Sequence, residues 1–440
     1  MSDLAIGGFG FGALFLLIAL RVPIGVAMLS VGMVGYVSIA GTVPLLSFLK
    51  TEMYWRFSSF DFSVIPLFLM MGNLATRAGV TSALFRAASA FIGHLRGGLA
   101  MAAIGGCAAF GTISGSSLAT AAMLGQVSLT ELRKYKYSGS FATGTLAAGG
   151  TLGALIPPSI PLIIYAIMVE GNIVQLFQAA FVPGILAAIG YLIVISIVVR
   201  IDPAAGPAAK RATAAERWLA LRDVWTVVLI FVVVMGGIYS GAFTPTEGAG
   251  IGAFGMFLIA VFYGGMRWQG FIDTMLETAQ TSAMIFLILL GAGVLNAFLG
   301  FSQLPIWAAD LFQNSGLSPY VVVLAMIVLY LFLGCVMDSL AMILITIPIF
   351  WPIVAALDFG LSVDDVKLWF GIITLMVVEI GLITPPVGLN VFVINSLSKD
   401  VPMIDTFRGV MPFLASDMVR LTLVVAFPAM SLFLPRLFAG

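Results

Sequence analysis

The chain has 440 residues, of which 61% are hydrophobic and only 9% charged, whereas a soluble domain carries about 25% charged residues. Its 20 Lys and Arg balance 20 Asp and Glu, so nothing implies nucleic acid as a partner. Apolar stretches of about 20 residues recur, each long enough to cross a hydrocarbon core of about 30 Å, which excludes a soluble protein and points to an all-α polytopic membrane protein.

Met1-Ser2-Asp3 is acidic and lacks the basic start of a cleaved signal peptide, so the first apolar segment is expected to be retained. Phe48–Phe60 carries Lys50 and Arg56 and reads as an interfacial amphipathic helix with snorkelling charges. The stretch Arg200 to Arg222 holds Lys210, Arg211 and Arg217 behind a Pro203-Ala-Ala-Gly-Pro207 start. It reads as a linker, and short loops rich in Lys and Arg stay cytoplasmic.

From that fixed point the flanking charges orient the other segments. Residues 175–199 run inward and 139–168 outward, with Glu170 outside and Arg133-Lys134-Tyr135-Lys136 inside. Arg77, Arg86 and Arg96 also lie inside, so 98–130 enters from the cytoplasm and returns to it, as a re-entrant hairpin or two very short spans. Residues 224–241 go out, 247–266 return to Arg267, and Trp268–Glu277 reads as an inner interfacial helix before 279–300 goes out. The loop 301–318 carries Asp310, and the block 319–356 ends near Asp358, Asp364 and Asp365, so it opens outward. Residues 368–397 run in to Lys399 and 410–435 run out. The expectation is about ten spans plus two oppositely oriented re-entrant hairpins. All Lys and Arg then fall inside except Lys50, Arg56, Lys367 and Arg436 outside and Arg420 within the last span.

The two halves resemble each other. Pro23 matches Pro245, and Ser116-Ser117-Leu118-Ala119 matches Asp338-Ser339-Leu340-Ala341 at the same spacing. Gly153-x-x-x-Pro157-Pro158 matches Gly381-x-x-x-Pro385-Pro386 at a slightly longer one. Three pairs in one order predict an inverted repeat, 1–200 and 224–440 about the linker 201–223. Inverted repeats with interrupted helices mark secondary transporters, with the site near the midplane.

Each Pro pair removes backbone donors and clashes with the carbonyls four residues earlier, here Gly153 and Ala154, and Gly381 and Leu382. In lipid such groups need another partner; a cation supplies one, and a kink closed by a neighbouring helix is the plainer alternative. Ser114, Ser116 and Ser117 in the first hairpin, and Asp338 and Ser339 in the second, are oxygen ligands that suit a hard cation, although such hydroxyls also bond back to their own helix. A carboxylate at Asp338 is costly in an apolar block, and it either holds the cation or caps a helix at the tip. Thr384 adjoins Pro385 as a further ion ligand, Asn390 reaches substrate or a partner helix, and Glu379 is a candidate partner for Arg420. Asn73 and Asn296 read as helix–helix glue, and Thr244-Pro245-Thr246-Glu247 as a helix start.

Cys107 and Cys335 lie in apolar segments as small packing residues, and His94 stands alone. No P-loop is present, so coupling comes from an ion gradient or another subunit. An integral-membrane enzyme using Asp338 and Glu379 finds no supporting nucleophile, metal or organic-cofactor motif.

Seven strings carry a family resemblance: Arg21-Val-Pro-Ile-Gly25, Ser63-Val-Ile-Pro-Leu-Phe68, Gly111-Thr-Ile-Ser-Gly-Ser-Ser117, Leu155-Ile-Pro-Pro-Ser159, Phe243-Thr-Pro-Thr-Glu247, Gly334-Cys-Val-Met-Asp338 and Ile383-Thr-Pro-Pro-Val-Gly388. In these the chain resembles the large membrane subunit of TRAP transporters, the DctM-like permeases; Gly248 departs, where an Ala is expected. The resemblance implies a bacterial inner-membrane importer of small organic anions with Na⁺, working by an elevator motion. It implies a small membrane subunit of about four helices and a periplasmic binding protein as separate partners. It maps ion binding to Ser114–Ser117, Gly153–Pro158, Asp338–Ser339 and Gly381–Pro386; Ser159 and Asn390 are the expected substrate contacts. A stand-alone sodium/carboxylate symporter of the same plan is the alternative.

Overall fold

The computed structural model describes residues 2–314 and 316–439, without the side chains of Trp55, Arg56 and Ala439, so the expected snorkelling of Arg56 lies outside the described residues. The described residues form helices and no strands. The first half comprises α1 (Asp3–Ala19), α2 (Ile24–Ala40), α3 (Thr42–Ser58), a 3₁₀ turn (Phe60–Ser63), α4 (Val64–Arg77), α5 (Val80–Ile92), α6 (Gly98–Ser114), α7 (Ser117–Lys134), α8 (Gly139–Leu155), α9 (Ile160–Met168) and α10 (Ile173–Ile201). The second comprises α11 (Ala214–Tyr239), α12 (Pro245–Phe262), α13 (Trp268–Ser302), α14 (Leu304–Gln313), α15 (Pro319–Gly334), α16 (Ser339–Ala355), α17 (Val363–Gly381), α18 (Leu389–Leu397), α19 (Met403–Ala426) and α20 (Ala429–Ala439).

Among the described residues, five helices, α10 to α13 and α19, are long and apolar enough to cross a membrane. Counting the bent pairs α4–α5 (65°) and α8–α9 (44°) as single spans gives up to seven. Helices α1 and α2, 17 residues each, cover about 26 Å apiece, close to a full core. The chain between α4 and α5 turns through Gly79, whose φ of +72° suits a residue without a Cβ. Thr213 with Glu216, and Thr244 with Glu247, close reciprocal capping boxes that start α11 and α12.

Three sequence expectations change. Trp268–Glu277 is not a separate interfacial helix but the first turns of α13, which runs 35 residues without a break. It is held there by Arg77, which bonds Glu277 at 2.7 Å, and by Asn73, which donates to Thr278 at 3.0 Å. The amphipathic segment expected from Phe48 begins at Thr42, as α3. The outer loop 301–318 contains the short helix α14.

Two assemblies emerge. Helix α2 lies along α13 through its glycines: a Cβ on Gly32 would stand 2.8 Å from the Leu295 nitrogen. Helices α4 and α12 pack beside them. The hairpins α6–α7 and α15–α16 pack instead on α8 and α17, with α10, α18 and α19 around them. Ion pairs between distant elements join residues that the charge reading puts on one side of the membrane: Arg86 with Asp223 (3.6 Å), Arg133 with Asp400, and Arg436 with Asp365 (2.9 Å).

Candidate functional site

Each half builds a hairpin tip against a helix break. Helix α6 ends at Ser114; Gly115 turns the chain at φ +58°, and Ser116 caps α7 by accepting from the Ala119 N–H at 3.4 Å. Ser114 and Thr120 share a hydroxyl–hydroxyl hydrogen bond of 2.9 Å across this tip. In the second half α15 stops at Gly334 and Asp338 takes the N-cap place of α16. Its carboxylate faces the N–H groups of Leu340 and Ala341 without closing a capping hydrogen bond on them.

The Pro pairs end α8 and α17, and both Pro–Pro peptides are cis. Each break is tied to the neighbouring tip by one backbone bond. Ile160 donates to the Gly115 carbonyl at 3.3 Å, and Gly388 donates to the Cys335 carbonyl at 3.2 Å. The breaks differ in what they leave open. The carbonyls of Gly381 and Leu382, expected to be free, accept from the N–H groups of Thr384 (3.1 Å) and Asn390 (3.0 Å). The second break thus folds back on itself, and only the second lone pair of each oxygen remains for a ligand. Among the described inter-element bonds none falls on the carbonyls of Gly153 and Ala154. Pro157 and Pro158 are buried while Pro385 and Pro386 are exposed.

Glu379 is where the sequence reading goes furthest astray. It does not pair with Arg420. Its carboxylate, 0% exposed, accepts hydrogen bonds from Ser117 and, at 2.9 Å, from Ser339. Those serines are the first helical residues of α7 and α16, so one carboxylate on α17 joins both tips. Arg420 instead bonds Asp417 on its own helix at 2.7 Å. Tyr191 of α10 donates to Asp417 at 2.7 Å and shares a 3.0 Å hydrogen bond with Thr151 of α8. The clue available in the sequence was the Ser at matching positions after each tip; what they bond required the fold.

The tips meet across a cavity of about 160 Å³, lined by Ser116, Ser117, Asp338 and Ser339 on one side and by Thr281 and Met284 of α13 on the other. It therefore lies where the two assemblies face each other. The remaining expected residues stand back from it. Ser114 is engaged with Thr120. The Thr384 hydroxyl bonds back to the Ile380 carbonyl at 2.7 Å. Gly153, Ala154, Gly381 and Leu382 are buried behind the tips. Neither expected substrate contact lines the cavity: Ser159 caps α9 through the Leu162 N–H (3.4 Å), and Asn390 donates to the Ala147 carbonyl (3.3 Å).

Two half-helix N-termini, with the N–H groups of their first turns and the positive ends of their dipoles, converge here beside hydroxyls and a carboxylate. The first kind of group suits an anion and the second a hard cation.

A family profile described as "Tripartite ATP-independent periplasmic transporter, DctM component" matches residues 11–430. The C4-dicarboxylate TRAP transporter large permease protein DctM of Pseudomonas aeruginosa is 40% identical over 374 residues, covering 84% of this chain and 85% of that one. The sialic acid TRAP transporter large permease protein SiaM of Vibrio cholerae is 33% identical over 431 residues, covering 98% of each. Among solved structures, the YdaH transporter of Alcanivorax borkumensis, described as having an unusual topology, superposes with a TM-score of 0.64 at 14% identity over 88% of each chain. That likeness is one of fold.

Proposed function

The chain belongs to the DctM family of tripartite ATP-independent periplasmic transporters, and on that premise we propose that it imports a small carboxylate, of the C4-dicarboxylate class, driven by Na⁺. It is a multi-pass protein of the bacterial inner membrane and a permease subunit, not an enzyme. As the large permease of a tripartite system it works with a small membrane subunit and a periplasmic binding protein. We take the small subunit to be a separate chain of about four helices. Family membership sets aside the stand-alone symporter.

The observation that carries the reading is the single cavity at which both hairpin tips present helix N-termini and oxygen ligands. The carboxylates of the solute meet the N–H groups opening α7 and α16. Na⁺ meets the hydroxyl oxygens, Asp338 and the carbonyls behind the tips. Holding both, the assembly of hairpins and broken helices moves as one body against α2, α4, α12 and α13, and the cavity changes side. The substrate class rests on the 40% identity to a C4-dicarboxylate permease.

The test is uptake of radiolabelled succinate, fumarate or malate into proteoliposomes holding this chain and its small subunit. Accumulation is expected only with the cognate binding protein outside. Uptake of none of these by the complete system overturns the substrate class, and robust uptake without the binding protein overturns the tripartite mechanism.

A further inference from the structure

Glu379 makes no contact with the cavity, yet it holds two residues that do. A serine hydroxyl has one proton to donate and two lone pairs to offer. Ser117 and Ser339 both spend their proton on the Glu379 carboxylate, so their lone pairs are left for the cavity side. An ionised carboxylate in an apolar interior is costly. Here two O–H donors and the positive ends of α7 and α16 reduce that cost. The other charged groups nearby leave it in this role. Arg420 is committed to Asp417, and Asp338 lies at the tip of the second hairpin.

We propose that Glu379 is the outer-sphere anchor of the sodium site, fixing the Ser117 and Ser339 hydroxyls as acceptors so that both hairpin tips present oxygen to Na⁺ at once. The inference rests on the sodium reading above and adds to it a residue that never touches the ion. On this account the two tips bind as a pair, since one carboxylate holds a serine of each. With Glu379 deprived of its charge, at least one serine must reorient and turn its proton toward the ion.

The measurement is equilibrium binding of ²²Na⁺ to the purified permease with its small subunit, together with thermal unfolding in K⁺ buffer. Wild type is expected to bind Na⁺ saturably. Glu379→Gln, whose amide can accept from one serine but donates to the other, is expected to raise the half-saturating Na⁺ concentration about tenfold or more, as loss of an outer-shell partner does at metal sites. The double variant Glu379→Gln with Ser339→Ala is expected to bind no worse than the poorer single variant, because the carboxylate acts through the serine. Glu379→Asp, which keeps the charge on a shorter arm, is expected to fall between wild type and Gln, and it carries the test if Gln does not fold. Unchanged half-saturation in Glu379→Gln or Glu379→Asp, with only the melting temperature lowered, makes Glu379 a structural clamp and overturns the proposal. Additive losses in the double variant do the same. A wild-type protein that binds no Na⁺ overturns the sodium reading itself, and this inference with it.

Discussion

Gly111 of the first hairpin lies so close to Gly153 of α8 that a Cβ built on Gly111 would stand 2.7 Å from the Gly153 Cα. In the other half a Cβ on Gly334 would stand 2.8 Å from the Gly381 Cα. Each hairpin thus meets its broken helix backbone to backbone, just before the Pro pair, and the two contacts sit at matching places in the repeat. Close approach of this kind draws the tip onto the break and sets where the cavity forms.

Gly111→Ala and Gly334→Ala should therefore each destabilise the protein by about 1–3 kcal/mol through overpacking. Gly12→Ala, with nothing within 4 Å of its Cβ, should be neutral or stabilising in its helix. Thermal unfolding of the purified permease measures this. Equal melting temperatures for all three variants would show that the tips do not depend on the glycine contacts.

Asp338→Asn separates ligand from cap. Asn caps a helix nearly as well as Asp, and Asp338 closes no capping bond to begin with. Stability should hardly change. If the charge helps hold Na⁺, the Na⁺ concentration for half-maximal uptake should rise several-fold. Wild-type Na⁺ dependence in the variant removes Asp338 from the ion site.

The hairpins should open to opposite faces of the membrane. Single cysteines placed beside Arg133, at the end of α7, and beside Asp358, after α16, are the probes, in a background lacking Cys107 and Cys335. The first should label only from the cytoplasmic side and the second only from the periplasmic side. Labelling of both from one face would contradict the inverted repeat.

Asp417 and Arg420 are buried, 1% and 5% exposed, and bonded at 2.7 Å. Removing one partner leaves a buried charge uncompensated, at a cost of about 3–5 kcal/mol. Asp417→Asn alone should melt well below wild type, and Asp417→Asn with Arg420→Met should recover part of the loss. The same recovery from Glu379→Gln with Arg420→Met, and not from the Asp417 pair, would restore the pairing that the sequence suggested.

The helical frame was readable from apolar segment length and flanking charge. The hairpin tips were readable because Gly115, Ser116 and Asp338 break apolar runs where lipid tolerates no break. The Pro pairs located both interruptions. Side-chain partners were not readable. Whether Glu379 met Arg420 or the tip serines depended on which face of α17 turned toward the hairpins, and an apolar helix buried all round carries no stripe to reveal that. The continuity of α13 was hidden because Asp273 and Glu277 look like a solvated end, although Arg77 of α4 neutralises them. The closing of Gly381 and Leu382 by their own chain depended on backbone geometry after Pro386, which residue types do not specify.

The most direct test of the account is ion replacement during uptake. Proteoliposomes holding the permease and its small subunit, with the binding protein and radiolabelled succinate outside, are given an inward Na⁺ gradient or the same gradient of K⁺ or choline. The account predicts accumulation with Na⁺ and none with either substitute. Undiminished accumulation in K⁺ or choline would contradict it.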